Sequence, residues 1–354
     1  MKRLRTGVMG ATGLVGQHFV KILDNHPYFE LVSLTASKKS AGTTYAKATD
    51  WFLNGGIPDH TADIVISETC IGSILKNDVD VVFSALPGNV TGDIEFSLAE
   101  EDIHIFSNAI NHRMDADVPI LIPEINPDHL NLVRNQINGK GGFIVTNSNC
   151  STAGIALGLK PLQQYGIRAV FVTTYQAVSG AGRRGVSSID VLGNVIPFIK
   201  NEETKIEDET RKILGEIKGN RIESAGFYIN ASCARVPVIK GHLASIAVEL
   251  EEDITVLEAE NSFRTFTGEP QALQLPSAPR EPIVVTENPD RPQPAIDLQS
   301  PCIDELQGMS ITVGRIRKKN SFLNFFLLVD NLVRGAAGTA VLNAEYARAK
   351  NFLN

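Results

Sequence analysis

The chain has 354 residues, more than one hydrophobic core usually organises, so two domains are expected. Its 43% hydrophobic and 21% charged residues are ordinary for a globular protein, and a formal charge of −7 argues against a general nucleic-acid binder. No run approaches the roughly 18 uninterrupted apolar residues of a membrane span. The four cysteines (Cys70, Cys150, Cys233, Cys302) are scattered, without CxxC or a histidine at metal spacing. They fit a reducing compartment and predict no metal site.

Basic Met1 to Arg5 runs into a glycine-rich loop rather than an apolar segment with a cleavage site, so no signal peptide is expected and the chain reads as cytoplasmic. Leu4 to Met9 reads as a first strand, Gly10-Ala11-Thr12-Gly13-Leu14-Val15-Gly16 as a loop, and Gln17 to Asn25 as an amphipathic helix. Strand, GxxGxxG and helix form the context for a dinucleotide: glycine for a tight turn, glycine for close helix packing, and a free helix N-terminus for a pyrophosphate. The alternative is a glycine-rich turn that binds nothing. The second strand, Phe29 to Ser37, ends in Ser37-Lys38-Lys39-Ser40-Ala41-Gly42 instead of the acidic residue that grips a ribose diol. Two ammonium groups beside two hydroxyls suit a ribose 2'-phosphate and predict NADP, although a solvated basic turn would look the same.

Residues 41 to 68 are less regular. Strands are predicted over Val79 to Leu86 and Ile103 to Asn108, with helix between them. Arg113 follows the end of the second of these and is either an anion binder or an ordinary surface arginine. A linking helix over 127 to 137 leads to the strand Phe143 to Thr146. Next comes Asn147-Ser148-Asn149-Cys150-Ser151-Thr152, opening a small-residue helix. A cysteine at a strand-to-helix turn sits among unpaired N–H groups and the positive end of the helix dipole. Both favour thiolate and would hold an oxyanion; the alternative is a buried structural thiol.

Beyond it, Arg168 to Val178 is rich in β-formers and breaks at Ser179-Gly180-Ala181-Gly182, with Gln176 pointing nearby. Residues 202 to 218 read as a mostly exposed, solvated helix. Phe227 to Val238 and His242 to Leu250 read as neighbouring strands. Glu269 to Cys302 carries eight of the 17 prolines and is expected to be an extended surface arm, neither helix nor central strand. Met309 to Arg317 and Ser321 to Val329 form a hairpin, and a final helix to about Asn351 returns to the first unit. The expected fold is α/β: a Rossmann-type nucleotide domain (1–148 and 331–354) and an α+β catalytic and oligomerisation domain with a mixed sheet (149–330).

Five motifs in this order resemble the aspartate-β-semialdehyde dehydrogenases, most nearly their archaeal and fungal branch, over nearly the whole chain. They are the Gly10–Gly16 loop, the Ser37–Gly42 turn, Ser148 to Thr152, Arg235-Val236-Pro237 with His242, and Asp330-Asn331 with Gly335-Ala336-Ala337-Gly338. The resemblance implies Cys150 as nucleophile, His242 as acid–base residue and Gln176 as the group orienting the bound intermediate. It implies Arg235 on the substrate α-carboxylate, Arg113 with Asn108 at the phosphate, and Glu202 with Lys205 completing the pocket. On the cofactor side it implies Gly10, Thr12, Gly13, Leu14, Val15, Ser37, Lys38, Lys39, Ser40, Ser179, Gly180 and Asn331, the last fixing the nicotinamide amide. Where the family commonly has Ser-x-Arg-Ser, this chain has Ser37-Lys38-Lys39-Ser40, which keeps charge but loses arginine's fork.

The implied reaction is NADPH-dependent reductive dephosphorylation of L-aspartyl-4-phosphate to L-aspartate-4-semialdehyde through a cysteine thioester. That step serves lysine, threonine, methionine and isoleucine biosynthesis. A homodimer or homotetramer is expected, without nucleic acid or membrane. The alternatives on the same scaffold are a malonyl-CoA reductase and other acyl-phosphate reductases. A nucleotide-binding scaffold with a dead site would lack Cys150 or His242, and both are present.

Overall fold

The computed structural model describes residues 2–91, 93–136, 141–298 and 306–353. Six strands make the first sheet: β1 (Leu4–Met9), β2 (Phe29–Ala36), β3 (Ser67–Glu68), β4 (Val81–Ser84), β5 (His104–Ser107) and β6 (Ile144–Thr146). Their spatial order is β3-β2-β1-β4-β5-β6, every pairing parallel. All carboxyl ends therefore share one rim, and the crevice of such a sheet opens where the order reverses, between β1 and β4. Val8, Val81, Val82, Phe83, Ile105 and Phe106 have no exposed surface, the two-sided burial a parallel sheet demands.

The glycine loop follows from close packing. Gly10 has φ +75°, and a Cβ on it would lie 2.8 Å from the Ala85 carbonyl oxygen. A Cβ on Gly16 would lie 2.2 Å from the Gly10 oxygen, so helix α1 (Leu14–Ile22) reaches β1 only over glycine. The Tyr45 hydroxyl donates to the Ala11 carbonyl (3.0 Å) and Gln17 Nε2 to that of Thr12 (3.1 Å), bracing the loop from behind.

The second unit holds a mixed sheet and a small ribbon. Its strands are β7 (Ile167–Gln176), β8 (Glu216–Lys218), β9 (Arg221–Glu223), β10 (Tyr228–Arg235), β11 (His242–Leu250), β12 (Ile283–Thr286), β13 (Ile311–Lys319) and β14 (Phe322–Val329). The sheet order is β10-β7-β11-β14-β13-β12, and β8 with β9 forms the ribbon. β10 and β11 are thus not neighbours as expected from their closeness in sequence. β7 lies between them, parallel to β10 and antiparallel to β11, and the 236–241 connection with Pro237 steps over its end. Helix α2 (Cys150–Leu159) covers this sheet so closely that a Cβ on Gly158 would lie 2.5 Å from Leu327.

Two further expectations are corrected. The charged segment is a helix only over Glu202–Ile213 (α3), and Glu202, Glu209 and Lys212 on it are buried, not solvated. The apolar positions alone underestimated its buried face, because these charges have partners. The proline-rich segment is not wholly irregular. It contains a one-turn helix, Glu269–Ala272, with Pro270 in the first turn where no N–H is needed, and the edge strand β12. Residues 299–302 of the expected arm lie outside the described residues.

After β14 the chain makes a wide turn through Val333–Ala337 into helix α4 (Gly338–Ala349). Ala340, Val341, Leu342 and Tyr346 join Phe19, Phe29 and Phe83 in one core, so the C-terminal helix does return to the first sheet. No helix among the described residues is long and apolar enough to cross a membrane. The turn is tied down by Arg334, whose Nη2 donates to Glu124 Oε1 at 2.8 Å with neither side chain exposed. Removing one member of such a pair strands the other without water. Arg334→Leu is expected to lower unfolding free energy by about 3–5 kcal/mol, measured by urea denaturation. A loss below ~1 kcal/mol would show that the pair does not hold the turn.

Candidate active site

Strand directions assemble the site. Because β7 and β10 run parallel in register, Gln176 and Arg235 end side by side. β11 begins where β7 ends, Leu243 facing Tyr175, so His242 arrives beside them. Val329 pairs with His242 on the other flank, which brings Asp330 and Asn331 to the same rim. α2 starts under this rim with Cys150. A cavity of about 800 Å³ joins these residues to the β1 loop, Asn108, Arg113, Glu202 and Lys205.

Cys150 is the first residue of α2. Asn149 caps the helix, its Oδ1 accepting from the Ser151 (2.9 Å) and Thr152 (3.2 Å) N–H groups. These donors, expected to face an oxyanion, are therefore already occupied. The Asn149 carboxamide also donates to Glu202 Oε1 (2.8 Å), and its backbone N–H donates to Glu209 Oε2. Gly335 packs against the backbone of Cys150; a Cβ there would lie 2.7 Å from Cys150 Cβ.

The expected acidic thiol is corrected too. Cys150 keeps part of its surface accessible at the floor of the cavity. Burial nevertheless pushes its thiol up to about 12; Glu202 adds to the rise, and Arg113, Arg235 and the Ser151 N–H oppose it. Burial likewise pushes the His242 imidazole down to about 3, reinforced by Arg235 and countered by Glu202. Burial would also raise Glu202, but hydrogen bonds from Gln176 and Asn149 and the charge of Lys205 outweigh it and hold the carboxyl below its ordinary range. At neutral pH the site thus combines a thiol, a neutral imidazole and an ionised Glu202.

The tautomer of His242 follows from its contacts. The Ala177 N–H donates to Nδ1 (3.1 Å), so in the neutral ring Nε2 carries the proton. Nε2 is buried without a partner, and so are Gln176 Oε1 and Arg113 Nε. With Ser148 Oγ on the same lining, four orphaned polar atoms in one cavity point to a polar ligand. Gly180 is required here: a Cβ would lie 2.9 Å from Arg235 Nη1 and 3.0 Å from His242 Nε2.

On the remaining walls, Arg235 Nη1 donates to the Ala177 carbonyl (2.7 Å), and Gln176 Nε2 donates to Glu202 Oε1 (2.8 Å) and to the Ser151 hydroxyl. Lys205 Nζ lies 3.3 Å from Glu202 Oε2. Arg113 Nη2 donates to the Asn108 carbonyl (2.8 Å), and Asn147 Nδ2 to Asn108 Oδ1 (2.8 Å). Asn331 takes the Gly241 N–H and donates to the Ser179 hydroxyl, both at 2.9 Å. Much of its carboxamide is thus engaged by the protein itself.

At the far end, Gly13, Leu14 and Val15 line the cavity, and Gly13 has no side chain with which to cap α1. The Ser37–Ser40 turn does not line it. It stands at the tip of β2, next to β1, with Lys38 and Lys39 exposed and no ion-pair partner for either among the described residues. Sequence reasoning missed Asn147, Asn149, Ser151 and Glu209. For Glu209 a signal existed: its seven-residue spacing from Glu202 puts both carboxylates on one face of a helix.

Residues 5–133 match a family model described as semialdehyde dehydrogenase, NAD binding domain, and residues 159–334 one described as semialdehyde dehydrogenase, dimerisation domain. The chain is 46% identical over 346 residues to an aspartate-semialdehyde dehydrogenase of Archaeoglobus fulgidus, covering 97% of each. It is 42% identical over 364 residues to one of Cryptococcus neoformans, covering 99% of this chain and 98% of the relative. The crystal structure of the Candida albicans aspartate semialdehyde dehydrogenase with NADP aligns with a TM-score of 0.89 at 38% identity, covering 99% and 100%.

A thiol held near 12 by burial sets its own test. In the protein without substrate, alkylation of Cys150 by iodoacetamide should accelerate about tenfold per pH unit from pH 6 to 10, because the thiolate fraction does. A plateau below pH 8 would contradict the buried, neutral thiol.

Proposed function

The chain belongs to the aspartate-semialdehyde dehydrogenase family, and we propose that it reduces L-aspartyl-4-phosphate to L-aspartate-4-semialdehyde with NADPH, serving lysine, threonine, methionine and isoleucine synthesis. The observation that carries this reading is the set of orphaned polar atoms (His242 Nε2, Gln176 Oε1 and Arg113 Nε) around a cysteine at a helix start. The similarity to archaeal and fungal relatives supports that branch of the family. The domain limits 1–148 with 331–354, and 149–330, are part of the same reading.

The Cys150 sulfur attacks the acyl carbon, and the phosphate departs with the thiol proton as hydrogen phosphate, leaving a thioester. Proton transfer to phosphate fits the geometry of His242, whose Nε2 already holds a hydrogen and cannot accept another while Nδ1 takes the Ala177 N–H. Arg113, with Asn108 and Lys205, receives the phosphate, and Arg235 the α-carboxylate, a bidentate task for a guanidinium. When bound, the reduced dinucleotide supplies hydride. As the thioester carbonyl becomes an alkoxide, the His242 Nε2–H donates to its oxygen, and Gln176 Oε1 orients the substrate amine side. Collapse then expels the Cys150 thiolate and releases aldehyde. Relative to the expected acid–base role, His242 serves first as an oxyanion donor.

The uncapped start of α1 behind Gly10 and Gly13 fits a pyrophosphate. Ser37, Lys38, Lys39 and Ser40 stand where a ribose 2'-phosphate would extend, which supports NADP; the Candida albicans relative was crystallised with NADP. Thr12, Leu14 and Val15 would line the same groove, with Ser179, Gly180 and Asn331 at the nicotinamide end. The outer face of the second sheet supports a homodimer or homotetramer. It presents Phe171 (43% exposed) and Tyr228 (58%), with Phe171 6.1 Å from Phe322 ring to ring, within the matched dimerisation model.

The test is the phosphorolytic assay: L-aspartate-4-semialdehyde and phosphate with NADP or NAD, following reduced cofactor. Phosphate-dependent NADP reduction that Cys150→Ala abolishes is the expected result; a silent assay with folded protein overturns the reading. For the cofactor turn, Lys38→Glu with Lys39→Glu should raise the KM for NADP at least tenfold and leave that for NAD within twofold. Equal shifts for both cofactors would remove the 2'-phosphate role.

A further inference from the structure

Helix α3 enters the site at two levels, and the deeper one has no role in the reaction described above. Glu209 is 2% exposed, and both its oxygens are engaged. Oε1 accepts from Arg113 Nη1 at 2.9 Å, and Oε2 accepts from the backbone N–H of Asn149, the residue immediately before the nucleophile. Glu202, seven residues earlier, takes the Asn149 carboxamide. Seven residues span about 10.5 Å of helix, so α3 grips Asn149 at its side chain with one carboxylate and at its backbone with the other. Glu209 also holds Arg113, while Glu202 is paired with Lys205. Its neighbour Lys212 braces the same loop, Nζ donating to the carbonyls of Arg113 (2.6 Å), Asp115 (2.8 Å) and Val118 (2.9 Å).

We propose that Glu209 is a positioning residue that couples the anion pocket at Arg113 to the backbone turn carrying Cys150. This rests on the reading of Arg113 as the phosphate ligand. One carboxylate oxygen fixes the guanidinium, offsetting part of its charge and leaving Nε as the buried donor without a partner. The other oxygen fixes the turn. An arriving phosphate competes with Glu209 for Arg113, so occupation of the pocket is felt at the nucleophile's own backbone. The charge of Glu209 also keeps the pocket from holding phosphate too tightly to release it.

Glu209→Gln removes the charge while keeping the shape. It should lower the KM for phosphate at least threefold in the phosphorolytic assay, because Arg113 is no longer offset. It should also lower kcat about tenfold, because the turn loses its charged anchor. The concentration of inorganic phosphate that half-protects Cys150 from iodoacetamide should fall in the same proportion. Glu209→Asp keeps the charge but is too short for both contacts; kcat should fall with the KM for phosphate within twofold. A residue that merely supports the fold would lower kcat with the folded fraction and leave KM and half-protection unchanged, and that result overturns the proposal. It overturns it equally if Glu209→Gln raises the KM for phosphate. Arg113→Met separates the two readings. If it keeps wild-type phosphate protection, the anion pocket itself is misassigned. If it loses protection while Glu209→Gln behaves as wild type, only the coupling fails.

Discussion

The arrangement depends on the immobilisation of one amide residue. Asn149 uses its carbonyl oxygen on two N–H groups of α2, its amide nitrogen on Glu202 and its backbone N–H on Glu209. Asparagine suits this place where other good caps would not. Serine caps a helix as well, but one oxygen would have to accept the helix N–H groups and donate to Glu202, tasks that the carboxamide divides between Oδ1 and Nδ2. Aspartate caps too, yet it would set a second carboxylate against Glu202 and push the Cys150 thiol still higher. The neutral amide satisfies the helix, the carboxylate and the thiol together.

The electrostatics separate storage from use. With the thiol raised by burial and the imidazole lowered by it, Cys150 rests as a neutral group near a neutral His242. Arg113, Arg235 and Lys205 surround them, and among the described residues Glu202 and Glu209 oppose this positive charge. Such a pocket is matched to an anionic substrate, while a free thiolate is disfavoured first by burial and then by Glu202, with Arg113 and Arg235 opposing both. In the ligand-free site the thiol therefore rests protonated.

Much of this was legible in the chain. The Gly16 requirement and the positive φ of Gly10 follow from steric rules that act within a few residues, although Gly10 also meets Ala85 of a distant strand end, and the parallel strands announce themselves as short apolar runs. The cysteine turn stands out as a thiol at a strand-to-helix junction, whereas Arg235 and His242 are marked only by the resemblance to the family. What escaped depends on distant partners. β7 inserts between β10 and β11, although these follow each other in sequence, and no local pattern records a strand drawn from fifty residues upstream. The buried face of α3 was hidden because Glu202, Glu209 and Lys212 look solvated until Asn149, Arg113 and three carbonyls are brought to them. The thiol's high pKa was likewise unreadable, since the helix start predicts the opposite sign and only the depth of burial reverses it.

The return of the C-terminal segment explains how two sheets act as one site. Gly335 touches the Cys150 backbone, and Asn147 donates to the Ala336 carbonyl (2.6 Å) while its Oδ1 accepts from Asn343 (3.0 Å) on α4. The turn that supplies Asn331 is thus held against the Cys150 turn by direct backbone contact. It is tied to Glu124 by Arg334 and to the first sheet by the apolar face of α4. A chain that ended after β14 would still join Cys150 to the first sheet through β6 and the 147–149 link, but would lose the contacts of Gly335 and α4 that hold this turn in place. With the segment in place, a displacement of either sheet must deform a contact that even one added methyl group would break. Hydride transfer tolerates little such drift, because an ångström of misplacement costs about a hundredfold in rate.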